Sequence, residues 1–223
     1  MTWIQVPDSA PNGGNVGEYS IFLTRMLDVL CDGGNRTAFA QRDRSITYRE
    51  TFEKLRRLHG TLKTEGIAPG QLVAITGGNM PERILLQIAA QLRGARVAHV
   101  ESVELLDTIH PDHVISSNPE GPLMLAGTGP APTEADIALP RSVETLFPAD
   151  GRFASYGETY EEIARTCQPQ PDGPQRVLLI APMSHPIGNR IACKALLCGK
   201  TVVLHEHSPE EALTAVREAN STA

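Results

Sequence analysis

The chain has 223 residues, of which 41% are hydrophobic, 21% charged and 4% aromatic, with a formal net charge of -6. That length can bury a full apolar core. The mild acidity excludes an electrostatic nucleic-acid surface, and the scarcity of aromatics excludes base-stacking platforms.

Residues 1–17, rich in Pro, Gly, Asn and Ser from residue 8 onward, read as a flexible N-terminal segment, with residues 18–223 forming a single α/β domain. From Tyr19 the apolar residues Ile21, Phe22, Met26, Leu27, Val29 and Leu30 follow helical spacing up to the Gly33-Gly34 stop. Thr37–Ala40 and Ser45–Tyr48 predict a hairpin across a polar turn. Thr47 and Glu50 have the spacing of a capping box for a helix whose inner face is Phe52, Leu55, Leu58 and Leu62, ending at Gly66. Leu72–Thr76 reads as a buried parallel strand. Pro81 opens a helix that turns Ile84, Leu85, Ile88, Ala89 and Leu92 inward, and Ala95–Val100 is the next strand. Strand, helix and strand within about thirty residues make a βαβ unit.

A short helix over Val103–Ile109 and a strand at His113–Ile115 follow, then a Gly/Pro/Ala-rich loop over residues 118–132. Further on, Thr159–Arg165 predicts a helix, Arg176–Ile180 a buried strand, Ile187–Leu197 a helix stopped by Gly199, and Lys200–Leu204 a strand. A last helix is expected from the N-cap serine Ser208. The fold class is therefore α/β: a mostly parallel sheet flanked by helices.

No apolar run reaches the ~18 residues of a membrane span. Met1 to Pro7 lack the basic and apolar regions of a secretory signal. The expectation is a soluble cytoplasmic protein with no membrane or nucleic-acid partner. The four cysteines, Cys31, Cys167, Cys193 and Cys198, contain no CxxC pair and read as free, small apolar side chains. His205 and His207 flank Glu206 as an H-x-H pair that could chelate zinc, but no further ligand stands at a diagnostic spacing, so no metal site is expected. Asp112 and His113 read as a surface polar pair.

Residues Arg36 to Val100 carry Ile46-Thr47-Tyr48 at a strand-to-helix step, a turn and strand from Gly66 to Ile75, and Asn79-Met80-Pro81-Glu82 at a helix start. The later stretch from Val177 to Thr222 holds Ala181-Pro182-Met183-Ser184-His185, then Gly188, then Gly199 before a strand. In this order the motifs resemble the N-terminal domain of adenylate-forming (AMP-binding) ligases, the acyl-CoA synthetases and nonribosomal adenylation domains. The resemblance implies activation of a carboxylate by ATP as an acyl-adenylate and transfer to a thiol. A glycine- and threonine-rich phosphate loop ending in lysine would act with Mg²⁺ in that chemistry.

That loop is missing. A degenerate candidate, Gly127-Thr128-Gly129, has no lysine. At the favoured place for a deletion, Phe147 to Phe153 runs straight into Ala154-Ser155-Tyr156. Tyr156-Gly157-Glu158-Thr159 is similar to a later family motif but precedes Pro182, and Tyr160 stands where the acid should be, so it reads as a helix start. The family's ribose-binding aspartate, hinge and C-terminal catalytic domain would fall beyond residue 223.

The resemblance places His185, with Ser184, Met183 and Gly188, at the acyl pocket. A histidine kept for packing is the other reading. Ser184 beside His185 lacks the G-x-S-x-G elbow of a hydrolase. The expectation is a truncated homologue unable to form the adenylate, with no cofactor, acting as a binding or scaffolding protein. Its partner would be a carrier protein, a full-length ligase or another copy, with an acyl or aryl small molecule as a further candidate ligand. The alternative is an acyl/aryl ligase that retains partial acyl binding or transfer, with ATP and Mg²⁺ as cofactors.

Overall fold

The computed structural model describes residues 19–41, 44–117, 139–168, 173 and 175–204. The 1–17 segment, Gly127-Thr128-Gly129, the His205/His207 pair and the helix expected from Ser208 lie outside them.

Helix α1 (Ile21–Asp32) starts at Ser20, whose Oγ accepts from the Leu23 amide. Strands β1 (Thr37–Gln41) and β2 (Arg44–Thr47) form the expected antiparallel hairpin. Helix α2 (Tyr48–Thr64) opens with the full capping box of Thr47 and Glu50. Then follow β3 (Leu72–Thr76), α3 (Pro81–Leu92) and β4 (Arg96–His99), with β3 and β4 adjacent and parallel, Val73 opposite Val97. A single 3₁₀ turn (Val103–Leu105) runs into α4 (Leu106–Ile109) and on to β5 (His113–Ser116). After residue 138 come β6 (Thr145–Ala149), β7 (Arg152–Ser155), α5 (Gly157–Thr166), β8 (Arg176–Leu179), α6 (Pro186–Leu197) and β9 (Thr201–Leu204).

The strands form two mostly parallel sheets where the sequence suggested one. The first has the order β2-β1-β9-β8, the second β5-β3-β4-β6-β7; β1–β2 and β6–β7 are the antiparallel pairs. One large core joins both. Phe39, Leu179 and Val202 of the first sheet and Val73, Ile75, Val97 and Phe147 of the second share it with residues of α1, α2, α3, α5 and α6. The alternate residues Leu72, Ala74, Ala98 and Leu146 face a smaller cluster covered by Leu105, Leu106 and Ile109. Period-two alternation thus feeds two cores from one sheet.

Two sequence readings need correcting. All twelve residues of α3 are buried, not its apolar stripe alone, because a helix inside the shared core has no solvent side. Two of its polar residues find partners within the fold, Glu82 in Arg44 and Gln91 Nε2 in Thr145 Oγ1 at 2.8 Å. Conversely, Arg176–Ile180 is not fully buried. β8 is the edge of its sheet among the described residues, and Ile180 is 51% exposed.

The cysteine reading is corrected as well. Cys167, the residue after α5, and Cys198, the residue after α6, are joined in a disulfide with their Cα atoms 6.3 Å apart. Thirty-one positions separate them in sequence, so only the packing of α5 on α6 brings them together. Cys31 and the fully buried Cys193 remain free thiols, as read.

Candidate functional site

Parallel strands direct their C-terminal ends, and the loops that follow them, toward one edge of an α/β layer, where ligands of such folds bind. Here the loops after β3, β4, β5 and β8 meet. The Met183 amide donates to Asn79 Oδ1 at 2.8 Å. Ser184 Oγ donates to Glu101 Oε1 at 2.8 Å, and Ser117 Oγ to the Gly78 carbonyl at 3.3 Å. The loop from Gly77 to Asn79 is therefore tied to the loop from Ala181 to His185, joining the two sheets at this edge.

The four acyl-pocket candidates occupy one short segment in different environments. His185 is exposed and caps α6, its Nδ1 accepting from the Ile187 amide at 3.3 Å. Ser184 is buried against Glu101. Met183 is fully buried in the main core. Gly188 is where the helix touches the preceding loop: a Cβ there would lie 2.2 Å from the Pro182 carbonyl oxygen and 2.6 Å from that of Ala181. Of the four, His185 is the one side chain open to solvent. Asp112 and His113 are a surface polar pair that trims the strand starts, Asp112 accepting from the Leu72 amide at 2.7 Å and His113 meeting Gln71 at 3.2 Å.

Beneath this edge lies a buried polar network absent from the sequence reading. The Arg83 guanidinium donates to the carbonyls of Ile75 (3.3 Å) and Gly77 (2.6 Å) and reaches that of Val100 (3.4 Å). It thereby holds the ends of β3 and β4 together. Burial pulls its pKa down to about 10, against the attraction of Glu101. Arg83 NH1 also sits 3.1 Å from His99 Nδ1. A guanidinium only donates, so Nδ1 accepts and Nε2 carries the proton, donating to Gln87 Oε1 at 2.9 Å. Asn189 Nδ2 donates to Gln87 Oε1 (2.9 Å) and to the Met183 carbonyl (3.2 Å), and its Oδ1 accepts from Tyr160 Oη at 2.5 Å. Phe147 stacks on the His99 ring with centroids 4.8 Å apart. Arg83 and Gln87 lie four apart on α3, with His99 closing an apolar strand; polar residues inside apolar runs were the available signal.

His99 is completely buried, and desolvation first, then the Arg83 charge, holds its pKa well below the usual histidine value. The unfolded chain takes up a proton near pH 6.5 that the folded chain refuses. Stability therefore falls as pH drops through about 6.5, by up to ~1.4 kcal/mol per pH unit. Urea midpoints at about pH 7.5, 6 and 5 should show this slope, and His99→Gln should remove it. An equal slope in the variant would mean that His99 is not its source.

At the favoured place for the missing phosphate loop, β6 and β7 form a tight hairpin. Leu146 pairs with Ser155 and Ala149 with Arg152, and the turn is Asp150-Gly151 alone. Both turn residues have positive φ, 48° and 72°, as a two-residue turn between right-twisted strands requires. The Asp-Gly pair was a readable hairpin signal that the sequence reading passed over. Tyr156 is the N-cap of α5, so the Tyr156–Thr159 string is a helix start, as expected. Among the described residues no three His, Cys, Asp or Glu side chains gather as a metal site, and no helix is long and apolar enough to cross a membrane.

The two sheets and the helical layer between them form a mixed α/β fold. The family model for AMP-binding enzymes matches residues 31–103, and the fold is that of the N-terminal subdomain of adenylate-forming enzymes. An artificially fused adenylation–PCP di-domain, NpsA-ThdA from Klebsiella oxytoca, superimposes with a TM-score of 0.72 at 20% identity, over 92% of this chain and 43% of that one. The NpsA N-terminal subdomain of the same organism, in complex with 3-hydroxybenzoyl-AMSN, gives 0.69 at 21% identity over 95% and 60%. The amide bond synthetase McbA from Marinactinospora thermotolerans gives 0.66 at 22% identity over 89% and 47%. The chain thus spans about half the length of these structures. No curated protein sequence matches it.

Proposed function

We propose that this chain is a non-adenylating homologue of part of an adenylation enzyme, acting through binding to a protein partner. The observation that carries the reading is the Asp150-Gly151 turn. Holding a triphosphate takes a run of converging backbone N–H groups and a cation. A two-residue turn offers no such run, contains no lysine, and carries the carboxylate of Asp150. The residues at this place do not fit ATP with Mg²⁺.

A carrier protein is the favoured partner. NpsA-ThdA joins an adenylation domain to a PCP domain, and Ile187 and Ile191, one turn apart on α6, and Ile180, just after the edge strand β8, all stand exposed. Exposed apolar surface of this kind is covered by association. A full-length ligase and a second copy are the other occupants that the same surface would serve.

The second reading, an acyl or aryl ligase with partial binding or transfer activity, draws on the Ser184–Glu101 pair and exposed His185 at the strand-end edge. Calorimetry separates the two. Titration of ATP with Mg²⁺ is expected to give no saturable heat up to millimolar nucleotide. Saturable binding, or ATP–pyrophosphate exchange with any carboxylic acid, would overturn the non-adenylating reading and favour the second.

A further inference from the structure

We propose that Cys167 and Cys198 form a reversible redox staple that locks α5 onto α6, independent of whether the chain binds nucleotide. Each cysteine directly follows the last turn of its helix, so the bond clamps the two C-terminal ends. The clamp adds to side-chain ties elsewhere on α5. Tyr160 donates to Asn189 on α6, Glu161 accepts from Ser20 Oγ (2.6 Å) and the Phe22 amide (3.1 Å), and Arg25 donates to the Ala164 carbonyl. An oxidised chain therefore holds α1, α5 and α6 as one block, and reduction frees its last turns.

The two sulfurs differ in access. Cys167 is 2% exposed, whereas Cys198 is half-buried at the end of α6. An external thiolate thus attacks the Cys198 sulfur, and the Cys167 sulfur leaves as a thiolate and takes up a proton. With a small dithiol as reductant, its second thiol displaces the Cys198 sulfur. The products are the cyclic disulfide of the reductant and two protein thiols, with two electrons and two protons transferred. The remaining cysteines compete poorly. Cys193 is fully buried, and burial raises its thiol pKa; desolvation and the nearby Asp32 also raise that of Cys31. Fewer thiolates form at either, so exchange is directed to the pair.

The test uses the full chain equilibrated with a small oxidised dithiol, then denatured and alkylated without reductant. Two of the four cysteines, Cys31 and Cys193, are expected to be labelled, and all four after treatment with the reduced dithiol. The reduced chain should melt roughly 5–10 °C lower, with faster amide exchange at the ends of α5 and α6. Re-oxidation should restore both. Cys198→Ser should melt with the reduced wild type and ignore the dithiol; should it fail to fold, the wild-type titration alone decides. Labelling of all four cysteines in the oxidised sample, or a melting temperature indifferent to the dithiol, would overturn the proposal.

Discussion

Arg83→Met should lower the stability of the fold by about 3–5 kcal/mol, read as a drop in urea midpoint at unchanged slope. Methionine fills much of the arginine volume and suits the apolar surroundings of α3, so loss of packing is a minor part of the effect. The cost comes from the acceptors left behind. The carbonyls of Ile75, Gly77 and Val100 and the Nδ1 of His99 all face the guanidinium. Arg83 is 1% exposed, so water does not readily replace it. Arg83→Lys should recover only part of the loss, since a single ammonium cannot span acceptors on two strand ends. Arg165→Met, on the exposed face of α5, should stay within about 0.5 kcal/mol of wild type. A loss below about 1 kcal/mol for Arg83→Met would mean that the strand ends hold together without the arginine.

Asn189→Ala should cost about 2–4 kcal/mol. Asn189 links α6 to α3, α5 and its own preceding loop, by way of Gln87, Tyr160 and the Met183 carbonyl. Truncation leaves the Tyr160 hydroxyl buried without its acceptor, in a setting where burial already drives its pKa far up. Tyr160→Phe alone should cost less, and adding it to Asn189→Ala should cost almost nothing further. A coupling energy of about 1–2 kcal/mol in the double-mutant cycle is the expected reading. Strict additivity would show that the hydroxyl and the amide do not act as a pair.

The local elements were legible because their causes are local. The Thr47–Glu50 box, Pro81 at a helix start and the glycines after α2 and α3 act within a few residues, and the structure places helix boundaries where they stand. The strand-end segment Met183–Gly188 was singled out only through its order after the earlier motifs, as what the resemblance implied. Its chemistry was less legible: His185 is exposed while Met183 and Gly188 serve packing. The Asp150-Gly151 turn shows a different failure. A deletion is defined only against a resemblance, whereas Asp-Gly between two strands signals a hairpin by its own residue types.

By itself the sequence determined the βαβ unit, the caps and stops, the α/β class and the absence of a lysine-bearing phosphate loop near Phe147. Each follows from residue type and spacing over short distances. Only the tertiary structure decided that the strands divide into two sheets, that α3 is buried on every side, and that Cys167 meets Cys198. It also decided that Arg83, Gln87, His99, Tyr160 and Asn189 form one network. Such contacts join residues up to about a hundred positions apart, as between Gln87 and Asn189. Periodicity records which side of an element is apolar, but a buried polar group is paired by whatever element the packing brings against it.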